Sequence, residues 1–128
     1  MKKISLVLVL LLFAFGTYGF AAGALDGKTF TIESWVKGKT ATEPKDELSF
    51  TDGKLHSVGC DQFGFTASAY TTMDAKGATK FQSTATSEKE GKIEWTGMVK
   101  GDAVEGKYVW SKTGQAPIEY AFKGSLKK

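Results

Sequence analysis

Residues 92–111 read KIEWTGMVKGDAVEGKYVWS, and their alternation decides the fold. Ile93, Trp95, Gly97 and Val99 alternate with Glu94, Thr96, Met98 and Lys100, and beyond Gly101-Asp102 the residues Val104, Gly106, Tyr108 and Trp110 alternate with Glu105 and Lys107. Successive side chains leave a strand on opposite sides, so a period of two marks a β-strand with one dry and one wet face. Gly101-Asp102 is turn chemistry. The stretch therefore predicts an antiparallel hairpin with Val99 opposite Val104.

The same period continues outward in both directions. Lys28 to Val36 carries Phe30, Ile32 and Ser34 on one side; Glu47 to Thr51 and Lys54 to Val58 flank Asp52-Gly53, a pair suited to the type I′ turn that matches strand twist. That turn sets Phe50 against Leu55 and puts Leu48, Phe50, Leu55 and Ser57 on one face. A fourth strand is expected from Phe63 to Thr72 with Phe65, Ala67 and Ala69 inward, and a fifth from Thr79 to Thr86 with Phe81, Ser83 and Ala85 inward. The last, Ile118 to Leu126, sets Ile118, Tyr120, Phe122 and Leu126 against Glu119, Lys123 and Ser125. No stretch of ten or more residues has apolar spacing at 3.6, so no helix is expected in this part. The expected fold is all-β: a single small eight-stranded antiparallel meander barrel, its first strand pairing with its last so that no long edge remains. An open sandwich of the same strands is the alternative.

The front of the chain is different. Lys2 and Lys3 precede an apolar run from Ile4 to Phe15 broken only by Ser5, and Ala22-Gly23-Ala24 offers small residues at both positions a signal peptidase reads. Residues 1–24 are expected to be a cleaved signal peptide and residues 25–128 the barrel domain, with the protein periplasmic or secreted. The run is short for a membrane span, so none is expected after cleavage. Large residues gather on one strand face while Glu33, Glu94, Glu105, Lys107, Glu119 and Lys123 occupy the other, the reverse of a lipid-facing barrel.

The 128 residues carry a formal charge of +3, which falls to +1 once Lys2 and Lys3 are removed. Every basic residue is lysine. Without arginine the chain lacks the side chain that reads phosphates and guanine edges bidentately, so nucleic acid is not expected as a partner. The acids and the single His have no metal-ligand spacing, and no nucleophile elbow or phosphate-cradling loop occurs; no metal, no cofactor and no enzymatic activity are expected. His56 and Cys60, four apart, would lie about 13 Å apart on a strand. They meet only if the chain bends after Val58, which Gly59 permits. Cys60 is expected to pack as a small hydrophobe and His56 to face solvent, and a thiol enzyme built on Cys60 ranks last among the functional readings.

The rings form the strongest remaining signal. Beside Phe30, Phe50, Phe65, Phe81 and Phe122, the inward register includes Trp95, Tyr108, Trp110 and Tyr120. Burying such rings builds a core. Small residues between them (Ser34, Ser57, Ala67, Ala69, Ser83, Ala85, Gly97, Gly106) suggest space for a ligand, with Trp95, Tyr108, Trp110, Tyr120 and Cys60 as its expected binding residues. Trp35 falls on the outer face and reads as a lid over a barrel end or a partner contact.

Cys60-Asp61-Gln62-Phe63-Gly64-Phe65, with Ile93-Glu94-Trp95-Thr96-Gly97 and Gly106-Lys107-Tyr108-Val109-Trp110, resembles a group of small secreted bacterial β-proteins. These share a Cys-x-x-aromatic-Gly-Phe segment and a late Trp-x-Gly…Gly-x-Tyr-x-Trp stretch. The resemblance implies export and a distantly lipocalin-like, or calycin-like, barrel, and it carries no activity. Phe30 stands where a lipocalin has its Trp. Together the readings point to an exported binding module for a small hydrophobic ligand. The alternative is a non-enzymatic envelope protein with a filled barrel that contacts a protein or a glycan.

Overall fold

Asp52 and Gly53 both take the left-handed backbone that a type I′ turn requires, with φ of 53° and 74°. They join β2 (Asp46–Thr51) to β3 (Lys54–Ser57) in the expected register, Thr51 opposite Lys54 and Phe50 opposite Leu55. The structure is a computed structural model in which residues 23–128 are described. The signal segment expected over residues 1–24 lies outside them except for Gly23 and Ala24.

The remaining strands are β1 (Thr29–Val36), β4 (Ser68–Ala75), β5 (Ala78–Ser87), β6 (Gly91–Lys100), β7 (Ala103–Ser111) and β8 (Ile118–Leu126). All neighbours are antiparallel and the order β1 to β8 closes into a barrel. Closure runs along β1 and β8 from Phe30 opposite Leu126 to Val36 opposite Tyr120. Neither terminal strand is left as an edge, and every inward side chain shares one interior. Val99 sits opposite Val104, as the hairpin reading requires.

One strand departs from expectation. Val58–Phe63 forms a 3₁₀ helix, ended by Gly64 at φ 85°, a conformation that favours glycine. Gly64 directs Phe65 into the core, and β4 begins only at Ser68. The chain therefore enters β4 with its face reversed: Tyr70 and Thr72 are buried, whereas Ala67 and Ala69 are exposed. The inward assignment of the two alanines is corrected, and Tyr70 joins the core in their place.

The small residues of β6 and β7 are also corrected. A Cβ on Gly97 would lie 2.4 Å from Cζ of Phe81, and one on Gly106 would lie 3.0 Å from Cζ of Phe122. The rings already occupy that volume. Phe50 then stacks edge-on to Phe81 with centroids 5.2 Å apart, and Trp95 to Phe122 at 5.5 Å. The middle of the barrel is solid, with a residual void of about 10 Å³ beside Leu55, Phe65 and Trp95. That is about the room of one water.

One end is plugged by the segment before β1. Leu25 is buried and donates its N–H to the Tyr70 hydroxyl at 2.9 Å; that hydroxyl donates to Asp26 Oδ1 at 2.7 Å. Both Asp26 carboxylate oxygens accept the Gly53 N–H, at 3.1 and 3.0 Å. The N-terminal segment, the β2–β3 turn and β4 are thus tied into one polar knot over the core.

Gly106 and Gly124 differ from Gly97 in what a side chain would meet: carbonyl oxygens of the neighbouring strands, Thr96 at 2.2 Å and Thr31 at 2.0 Å. A ring can swing aside, whereas a ladder carbonyl can move only with its strand. Overpacking of this kind costs about 1–3 kcal/mol. Gly97→Ala is expected within that range, and Gly106→Ala and Gly124→Ala are expected to cost more, as read by urea unfolding of the three variants. Equal losses would contradict the assignment of Gly106 and Gly124 as close-approach positions.

Candidate functional site

The end opposite the plug is open. It is rimmed by the β1–β2 loop, the 3₁₀ helix and the β5–β6 turn, and it holds a cavity of about 430 Å³. Pockets of this size accept small organic ligands. Tyr108, Trp110, Tyr120 and Cys60 all line it, so four of the five residues singled out in the sequence converge on one space. Trp95 does not. It is 4 % exposed and lies one layer below, its ring centroid 4.4 Å from that of Tyr108. Trp35 is also absent from the lining: it sits on the outer face of β1, bridged to Thr42 and opposite Ala121 of β8, and is not a lid.

The ladder explains how the rings meet. Trp95, Tyr108 and Tyr120 are directly opposite one another on β6, β7 and β8, and so form a row across three strands. Tyr108 and Tyr120 stack at 4.6 Å and 16°. Ile93 and Trp110 are paired two residues nearer the mouth. The Trp110 indole N–H donates to the Glu90 carbonyl at 2.6 Å, and the Glu90 carboxylate accepts from Lys112 Nζ at 3.1 Å, which fixes this wall against the β5–β6 turn. Ser34 of β1 pairs its Oγ with the Tyr108 hydroxyl at 2.9 Å.

The opposite wall is the 3₁₀ helix. Asp46 anchors it: Oδ1 accepts the Gly59 N–H at 2.7 Å, and Oδ2 accepts the Ser57 hydroxyl. Ser87 Oγ donates to the Phe63 carbonyl at 2.8 Å and so ties the lip to β5. Phe63, 51 % exposed, adds an apolar ring to that lip. The bend that Gly59 permits after Val58 exists, but it carries Asp61 to His56, with Nε2 to Oδ1 at 2.6 Å, and leaves Cys60 with Ser57.

Burial pushes the Cys60 thiol up, against a smaller opposing effect of the Ser57 hydrogen bond, and the carboxylates of Asp46 and Asp61 push in the same direction as burial. A thiol held above its ordinary value is mostly protonated at neutral pH and is a poor nucleophile. The phenols are shifted likewise. Burial raises Tyr108 and Tyr120, and the Glu43 carboxylate of the β1–β2 loop adds to both. At the plugged end, burial and the bond to Asp26 push Tyr70 up to about 12. Glu43 carried no signal in the sequence, since a loop carboxylate has no periodicity to mark it. Among the described residues no group of three or more metal-ligating side chains gathers anywhere.

Two outcomes follow. Cys60 is expected to react with a soluble disulfide reagent at neutral pH about an order of magnitude more slowly than glutathione; a faster reaction would contradict its protonated, half-buried state. Each described tyrosine titrates higher in the folded chain than the unfolded value of 10.0, so folding favours the neutral phenol. The stability this contributes is complete below pH 10 and is lost as pH rises through the folded values. Phenolate absorbance should stay low at pH 10 and then rise together with unfolding; half-ionised phenols in a folded protein at that pH would contradict it. Compared with known proteins, the chain matches no family model, no curated protein and no solved structure.

Proposed function

We propose that the protein is an exported, lipocalin-like binding module that holds a small hydrophobic ligand in the open end of its barrel. The observation that carries this reading is the cavity of about 430 Å³ whose wall includes Tyr108, Trp110 and Tyr120. Rigid rings supply contact area at low entropic cost, and apolar cavities with a few polar groups are the usual form of a small-molecule site. The solid layer of Phe81 and Phe122 limits the ligand to the mouth, so a short or planar molecule fits better than a long chain. Export, to the periplasm or the medium, rests on the residue 1–24 pattern.

A second reading has one observation in its favour. A shallow polar depression of about 440 Å³ crosses the outer faces of β4, β5 and β6, lined by Thr71, Gln82, Thr84, Glu94 and Thr96. Thr71 Oγ1 is buried there without a hydrogen-bond partner. This would suit an envelope protein that presents its outer wall to a glycan or a protein. The open-end reading is preferred because its walls include aromatic rings, Trp110 and Tyr108 among them fixed by hydrogen bonds, whereas the depression is lined mainly by polar side chains of the outer strand faces.

Titration of purified protein with the neutral dye Nile red tests the preferred reading. Saturable enhancement and a blue shift are expected, with Trp110→Ala weakening the dye about tenfold and Cys60→Trp, which fills the mouth, abolishing the signal in a variant that still melts cooperatively. No enhancement with the unmodified protein would overturn the reading.

A further inference from the structure

The charges around the cavity differ in how they are used. Glu90 is neutralised by Lys112. Asp46 spends its oxygens on backbone and hydroxyl donors and forms no ion pair among the described residues. Glu43 lines the cavity, and among the described residues its carboxylate has neither a hydrogen-bond donor nor a cation. Lys45 is the one cation among the lining residues described. With Glu90 paired, the mouth presents the carboxylates of Glu43 and Asp46, neither of them in an ion pair among the described residues, against the single lysine Lys45, and no arginine exists in the chain to bind an anion in a fork.

Below these carboxylates lie the stacked Tyr108 and Tyr120 and the Trp110 indole, which the hydrogen bond to Glu90 holds in place. Aromatic faces carry negative quadrupole potential and attract ammonium groups, most strongly where water is excluded. Counting Lys45, a ligand carboxylate would meet ring faces and a net negative charge, whereas an ammonium would meet ring faces and a net opposite charge led by the free Glu43 carboxylate. Fatty-acid-type anions are disfavoured by the same groups.

Resting on the reading that this cavity binds a small ligand, we propose that it selects a monocationic one: a quaternary or protonated amine on an apolar body, with the cation between Glu43 and the Tyr120 and Trp110 rings. The apolar body fills the remainder of the cavity. Lys45 takes no attractive part.

The test is an NMR titration of purified protein with three probes of similar size: phenethyltrimethylammonium, 2-phenylethanol and 3-phenylpropanoate. The cation is expected to bind about tenfold or more tightly than the alcohol, and the carboxylate more weakly than either. Shifts should centre on Trp110 and Tyr120, and the advantage of the cation should shrink with added salt. Glu43→Gln, a change in an exposed loop, should bring the cation down toward the alcohol without altering the alcohol. Lys45→Gln should leave the cation unchanged or tighter. Binding of the carboxylate as tightly as the cation, with the alcohol still bound at the mouth, overturns the charge selection alone. Failure of all three probes overturns the cavity reading and this proposal with it.

Discussion

Closure of β1 on β8 is the constraint on which the rest depends. Seven residue pairs, from Phe30–Leu126 to Val36–Tyr120, convert a meander with two edges into a cylinder with one inside. In an open sheet the alternating apolar residues would need a second layer to cover them; in the cylinder they cover each other. Phe30, Ile32 and Phe122 are then buried to 2 % exposure or less although they belong to the terminal strands. The weakest seam lies elsewhere, between β3 and β4, where only Lys54–Ala69 and Leu55–Ser68 are in register. It is there that the 3₁₀ helix leaves the wall and forms one side of the mouth.

Given closure, filling decides where space remains. Eight strands enclose an interior that side chains can just fill. Here Phe81 and Phe122 lie over Gly97 and Gly106, so large residues on two strands take the volume that small ones on two others release. The knot of Leu25, Asp26, Tyr70 and Gly53 shuts the end below. Space survives at the other end, where loops rather than strands face each other, and the rings that overlook it are the continuation of the core row through Trp95.

Much of this was legible in the sequence because a strand with one buried face writes its geometry at a period of two. The β2–β3 register followed from Asp52-Gly53, and the bounds of β8 from Ile118 and Leu126. The inward face of β4 was not legible. A 3₁₀ helix followed by a left-handed glycine changes the parity between Phe65 and Tyr70, and alternation cannot report a slip that occurs outside the strand. The site was half legible. Tyr108, Trp110 and Tyr120 were read from the alternation and Cys60 from its segment, but depth along the barrel is invisible to a periodicity. Trp95 was therefore grouped with residues one layer above it, and the glycines beside it were taken as free space when rings from other strands fill them. Glu43, in the β1–β2 loop, and Asp46, at the first position of β2, were missed.

Amide hydrogen exchange measured residue by residue tests the closed cylinder most directly. With β1 and β8 paired along their length, the amides that bond across this seam, such as those of Thr31, Glu33, Trp35, Ala121 and Lys123, should be protected to the same order as the amides at the centre of β6 and β7. Rapid exchange along β1 and β8, with protection confined to β5, β6 and β7, would mean an open sheet with two free edges, and the shared interior and its mouth would go with it.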